Sequence, residues 1–217
     1  MITLGEQLLS LQRTISHMLN HWSQDTYIRA YKFAAQSHKG QLVPGTDLPY
    51  IMHLSFVAME VIAALAVEQV DNPDLAVQCA VLHDTVEDTD VTYDDVRDMF
   101  GTDVADGVLA MTIDESIGAV LNKFDRRWLQ LEDYLRRIKQ QPKEIWMVKL
   151  ADRITNLQPP PRHWTPEMIE RYRKGAELIH KELCSASEYL GERLRKKIDS
   201  YPDGEQTSVK VGEHPLA

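Results

Sequence analysis

Apolar residues recur at helical spacing along nearly the whole chain. Leu4, Leu8, Leu11, Ile15 and Leu19 share one stripe with Ser, Gln and Arg opposite, which predicts an amphipathic helix over 4–19. Such a stripe packs either on the body of the protein or on a second copy of the chain, the latter giving a homo-oligomer. A second helix is expected from Asp25, as its cap, to about Ser37. Residues 38–48 contain Gly40, Pro44 and Gly45 and read as a loop. Helix returns over Ile51–Glu68, with His53 at its start, and Asn72-Pro73 opens the next. In that helix Leu75, Ala76, Val77, Cys79, Ala80, Val81 and Leu82 are apolar nearly all round, the pattern of a buried helix.

Thr92-Tyr-Asp-Asp95 resembles a capping box with Asp in place of Glu, starting a short helix that stops near Gly101. Another helix is expected over 102–111, a loop over 113–123, and a helix with one basic side over 125–140. Pro142 suits the first turn of a helix carrying Ile145, Trp146, Val148, Leu150, Ala151 and Ile154, which the run Pro159-Pro160-Pro161 would end. Thr165-Pro166 begins a helix to about Leu183, and Ser185-Ala-Ser-Glu188 caps the last, to about Ser200. No stretch alternates as a strand does, and no fixed repeat is visible. The fold class is all-α, a compact helical bundle. It is divided into an N-terminal helix (1–22), one domain (23–200) and a loose polar tail (201–217).

Composition narrows the function. A chain of 217 residues with 43 % apolar and 26 % charged residues has the make-up of an ordinary soluble domain. Its net charge of -9 argues against coating DNA or RNA, which needs a basic footprint, but not against a small anionic substrate. The longest apolar run, Val61–Val67, is too short to span a bilayer and no signal-peptide pattern is present, so a cytoplasmic location is expected. Cys79 and Cys184 make no disulfide framework, and Cys79 is placed as a packed core thiol.

Against this background His83-Asp84, followed by Glu87-Asp88, stands out, because a buried run ends in an imidazole and a carboxylate. Unpaired buried ions cost several kcal/mol, and a metal ion would supply the missing positive charge. The plainer alternative is a helix reaching solvent at Asp84 and continuing as an acidic loop. Two more polar residues interrupt apolar helices. His53 is one. Asp152 is the other, between Leu150-Ala151 and Ile154, where an ion pair to Arg153 or Lys149 is the safer reading of that residue alone. Together His53, His83, Asp84 and Asp152 make two imidazoles and two carboxylates, a set suited to a divalent transition ion with room for water.

The ordered motifs HKGQ…PYIMH, AVLHDTVEDTDVTYDDVRDMFG and VKLADRITNLQ resemble those of the HD-domain hydrolases of the RelA/SpoT type. The likeness is greatest to the stand-alone small alarmone hydrolases, and covers about residues 25–195. The resemblance implies a helical bundle around one metal, usually manganese, held by His53, His83, Asp84 and Asp152. It implies Glu87 and Asp88 as the catalytic acidic pair. The reaction implied is hydrolysis of the 3′-pyrophosphate of guanosine tetra- or pentaphosphate to GDP or GTP and pyrophosphate. It further implies Asn156 and Tyr172 as nucleotide contacts, with Lys123 and Arg127 meeting phosphates.

One segment departs from the family. Between HKGQ and PYIMH the family carries an Arg-rich segment that stacks on the base, whereas Leu42-Val43-Pro44-Gly45-Thr46-Asp47-Leu48 has no cation. This loop is expected to border the site, since it closely precedes His53. Its composition leaves open a phosphohydrolase for another nucleotide, such as NADPH. A non-catalytic metal-containing nucleotide-binding module is a further alternative, opposed by the presence of both Glu87 and Asp88. A purely helical interaction protein would leave the interrupted apolar faces unexplained.

Overall fold

The computed structural model describes residues 22–203. The stripe helix expected over 4–19, with the oligomer contact it would make, and the tail from 204 onward lie outside the described residues. Within them ten α-helices form: α1 (Gln24–Ser37), α2 (Ile51–Leu65), α3 (Pro73–Leu82), α4 (Thr85–Asp88), α5 (Tyr93–Phe100), α6 (Thr102–Met111), α7 (Lys123–Ile138), α8 (Lys143–Asn156), α9 (Pro166–Leu183) and α10 (Glu188–Ser200). A single 3₁₀ turn, Cys184–Ala186, precedes α10. Strand pairing among the described residues is limited to the isolated bridge Leu42–Pro49. The all-α expectation holds, and no described helix is long and apolar enough to cross a membrane.

α3 is the axis of the bundle. Every residue from Leu75 to Leu82 is buried, because α1, α2, α6 and α8 pack around it. Burying an apolar side chain contributes on the order of 1.5–3 kcal/mol, so a helix apolar on all sides is stable only in this central position. Its ends are fixed by polar bonds. The Asn72 side chain accepts from Leu75 N at 3.0 Å, and Asn72 N donates to Glu144 Oε1 at the start of α8 at 2.7 Å. Asp74 Oδ1 accepts from Ser23 N, 2.7 Å away, which ties α3 to the start of α1. Cys79 is fully buried, as a core thiol.

The capping box at Thr92 and Asp95 forms in both directions. Elsewhere the caps differ from expectation by a few residues. Ser23, in an extended conformation, caps α1 by accepting from Thr26 N, while Asp25 lies in the first turn where its charge meets the helix dipole. α2 stops at Leu65, short of Glu68. Glu68 instead accepts from the Ser187 hydroxyl and from Tyr189 N, so it anchors the start of α10. Pro142 is the N-cap of α8 rather than a first-turn residue. That helix ends at Asn156, before the proline run is reached. Ser187 caps α10 through Leu190 N.

Gly107 is where α6 meets the axis. A Cβ there would come 2.5 Å from Ile145 Cδ1 and 3.0 Å from Cys79 Sγ. Gly107→Val is therefore expected to destabilise the fold by about 1–3 kcal/mol through overpacking. Urea unfolding should show a lower midpoint at unchanged slope. An unchanged midpoint would mean that α6 shifts outward freely.

Candidate metal centre and substrate cleft

The mutual packing of α2, α3 and α8 brings three distant stretches together. His53 lies in the first turn of α2, His83-Asp84 in the turn after α3, and Asp152 within α8. That turn has a local cause. The Thr85 hydroxyl donates to the Leu82 carbonyl at 2.5 Å, taking an acceptor that a continuing helix would use. Helix α4 then restarts with Asp88 N bonded to Asp84 O at 2.9 Å.

His53 Nε2 stands 3.5 Å from both Asp84 Oδ2 and Asp152 Oδ1. His83 Nε2 stands 3.0 Å from Asp84 Oδ2 and 3.8 Å from Asp152 Oδ1. His53, His83 and Asp152 each offer a ligand atom within 4.8 Å of the others, and Asp84 joins them through its distances to both imidazoles. The Ala80 carbonyl, an acceptor only, faces His83 Nδ1 at 3.0 Å, so Nδ1 carries the proton and Nε2 turns a lone pair inward. His83 Nε2 is buried and makes no hydrogen bond of proper geometry, its short distance to Asp84 notwithstanding. An orphaned ring nitrogen among carboxylate oxygens lacks a cation, and these residues fit a divalent metal ion.

The electrostatics agree. Burial alone would raise both carboxyl groups, but the His83 imidazole beside Asp84 and the Lys149 ammonium beside Asp152 outweigh it and hold both well below the usual range. Burial would lower His53, yet its bonds to Asp152 and Asp84 carry it up to about 9. The site demands positive charge.

Surrounding groups orient these side chains. Tyr50 OH donates to Asp84 Oδ2 at 2.6 Å, and its ring stacks on His38 with centroids 5.0 Å apart. Asp152 accepts from Lys149 Nζ at 2.8 Å through Oδ2 and from Asn156 Nδ2 through Oδ1. Of the two partners expected for Asp152, Lys149 is the one used. Lys149 also lies over the Tyr134 ring, 4.3 Å from its centroid.

A cleft of about 990 Å³ opens from His53, Asp84 and Asp152, with His83 buried behind them. Glu87 and Asp88 line it at its exposed mouth. Glu87 Oε2 accepts from Ile113 N at 2.9 Å. Partial desolvation, offset by that N–H and reinforced by Asp84, pushes Glu87 up to about 7. Asp88 Oδ2 faces Gln41 Nε2 at 3.4 Å. Arg127, Asn156 and Tyr172 line the cleft as expected, whereas the Lys123 side chain is outside what is described.

The expected border at Leu42–Leu48 is not found: none of these residues lines the cleft. The segment folds on itself instead, with Val43 N bonded to Leu48 O at 2.8 Å and Thr46 N to Val43 O at 3.0 Å. Sequence reasoning missed Arg153, Arg171 and Trp164 as lining residues. Arg153 and Arg171 adjoin Asp152 and Tyr172 in sequence, the one signal that could have pointed to them, and nothing in the sequence marks Trp164.

Residues 30–183 match the family described as HD domain. A guanosine-3′,5′-bis(diphosphate) 3′-pyrophosphohydrolase of Aquifex aeolicus is 35 % identical over 73 % of this chain, which spans only 21 % of that relative. The Danio rerio protein named guanosine-3′,5′-bis(diphosphate) 3′-pyrophosphohydrolase MESH1 is 31 % identical, over 82 % of this chain and 95 % of its own length. A solved structure, described as a metazoan ortholog of SpoT that hydrolyzes ppGpp, superposes with a TM-score of 0.68 at 26 % identity. That match covers 83 % of this chain and 97 % of the other. The chain belongs to the HD-domain family. Within that family its kin are the small MESH1-type proteins, which it matches over most of their length.

Proposed function

We propose that this chain is a metal-dependent hydrolase that removes the 3′-diphosphate of guanosine-3′,5′-bis(diphosphate) (ppGpp) or the corresponding pentaphosphate. Water is consumed, and GDP or GTP is released with pyrophosphate. The observation carrying this reading is the placing of Glu87 and Asp88 at the mouth of the same cleft that the four-residue cluster opens into. His53, His83, Asp84 and Asp152 would hold one divalent ion, manganese in this reading. When bound, the ion lowers the pKa of a water and offsets charge at the attacked phosphorus. Glu87, with a carboxyl group titrating near neutrality, is suited to take a proton from that water. Asp88, facing Gln41, orients it. Asn156 steadies Asp152, while Arg127 and Tyr172 lie along the path of the nucleotide. Action in the cytoplasm goes with this reading.

The test is pyrophosphate release from ppGpp by the purified protein, with and without Mn²⁺. Release that depends on the metal is expected, and its absence would overturn the proposal. NADPH belongs in the same panel, because the cation-free Leu42–Leu48 segment stands away from the cleft and offers guanine no contact. Phosphate release from NADPH in place of pyrophosphate from ppGpp would favour the second substrate.

A further inference from the structure

Arg153 is a cation without a counter-ion in the cleft wall. It follows Asp152 directly, but neighbouring residues on a helix project about 100° apart and do not face each other. Its guanidinium lies instead over the ring of Tyr172 on α9, 4.7 Å from the centroid. Among the described residues no carboxylate pairs with it, and its Nε is buried without a hydrogen-bond acceptor. Of the other cations of the cleft, Lys149 is engaged by Asp152 at 2.8 Å and Arg171 by Glu167 at 2.9 Å, while Arg127 is exposed to solvent. A buried N–H such as that of Nε is costly when left unmatched, and the ligand that suits a guanidinium best is a planar or tetrahedral oxyanion.

The surroundings make Arg153 a prepared site. Tyr172 packs edge-to-face with Trp164, with ring centroids 5.1 Å apart at 68°. Its hydroxyl donates to the Asn156 carbonyl at 3.3 Å. A guanidinium lying over an aromatic ring uses its face there and keeps its edge for a bidentate acceptor. Lys149, Asp152 and Asn156 occupy the side of α8 turned to the metal cluster, linked by their hydrogen bonds, whereas Arg153 turns toward α9. It is therefore placed for a phosphate group that does not react.

We propose that Arg153, seated on Tyr172, binds the phosphate of the substrate remote from the metal centre, which is the 5′-diphosphate if the function proposed above holds. This supplies from α8 and α9 the phosphate contact that the Leu42–Leu48 segment cannot give. An interaction shared by ground and transition states changes KM and leaves kcat alone. Arg153→Gln should raise KM for ppGpp by roughly 10- to 100-fold with kcat changed less than about threefold, as expected for a lost charge-assisted bond. For guanosine 3′-diphosphate, which lacks the 5′-phosphates, KM should not move.

A second readout needs no turnover. Metal-free protein should bind GDP more tightly than guanosine by calorimetry, and Arg153→Gln should erase most of that preference. Arg153→Lys, which keeps the charge and loses the fork, should show a smaller rise in KM with the same selectivity. It carries the test if the Gln variant does not fold. Equal losses on both substrates, or an unchanged KM and GDP affinity, would overturn the inference. Failure of the wild-type protein to hydrolyse ppGpp would instead remove the functional reading, while the GDP comparison would still judge Arg153.

Discussion

Replacing His83 with alanine is expected to leave the protein without bound metal and its hydrolytic activity at background. Elemental analysis of the wild-type protein should find about one divalent ion per chain, in keeping with a single set of two imidazoles and two carboxylates. His83 is only 2 % exposed, so no water-filled space stands ready to replace its ring. Its loss would leave Asp84 and Asp152 with His53 and Lys149 as their remaining cations. Removing one partner from a buried charged cluster costs on the order of 3–5 kcal/mol. Unfolding by denaturant should therefore show a large loss of stability, and added metal should rescue the wild-type protein far more than the variant. Full metal occupancy in His83→Ala would dismiss the site.

Glu87→Gln should keep the metal and the fold and lose turnover by a factor on the order of 10² or more, as for a positioned acid-base group. The amide oxygen can still accept from Ile113 N, so the loop contact survives. The pH profile separates a base from a structural residue. A general base works ionised, so activity should rise with pH through its pKa, which lies near 7 in the protein alone and lower with a cation bound nearby. That acidic limb should be present in the wild-type protein and absent from the residual activity of Glu87→Gln. Wild-type turnover in the variant would make Glu87 an ordinary solvated carboxylate.

The parts of this architecture that were legible in the sequence are those where one physical signal dominates. The run from Leu75 to Leu82, apolar at every position but Gln78, has the pattern of a buried helix, and the Thr92–Asp95 box names its own helix start. The cluster of His53, His83, Asp84 and Asp152 was visible because each residue breaks an apolar pattern, and the structure brings the four together. The turn at His83-Asp84 was not, since it depends on one hydroxyl, that of Thr85, competing with the backbone for a single carbonyl. Arg153 was hidden by its adjacency to Asp152: neighbours in sequence make the obvious ion pair, but the helix sends them to different walls. The Leu42–Leu48 segment misled for the opposite reason. Proximity to His53 along the chain says nothing of direction, and the backbone there closes on itself.

The loop between α1 and α2, which contains that segment, has two parts under separate constraints. At its base, His38 bonds Gln41 at 2.6 Å, Gln41 faces Asp88, and Tyr50 holds Asp84, so the base touches two carboxylates one helical turn apart. At its tip, the exposed Pro44–Asp47 turn satisfies its neighbours' backbone groups locally and uses the positive φ of Gly45. The bridge between Leu42 and Pro49 separates one part from the other. Residues of the tip are thus free to diverge, lengthen or acquire charge without disturbing the carboxylates beneath. The tip is an exchangeable module, which can change while the carboxylates beside the loop's base keep their places.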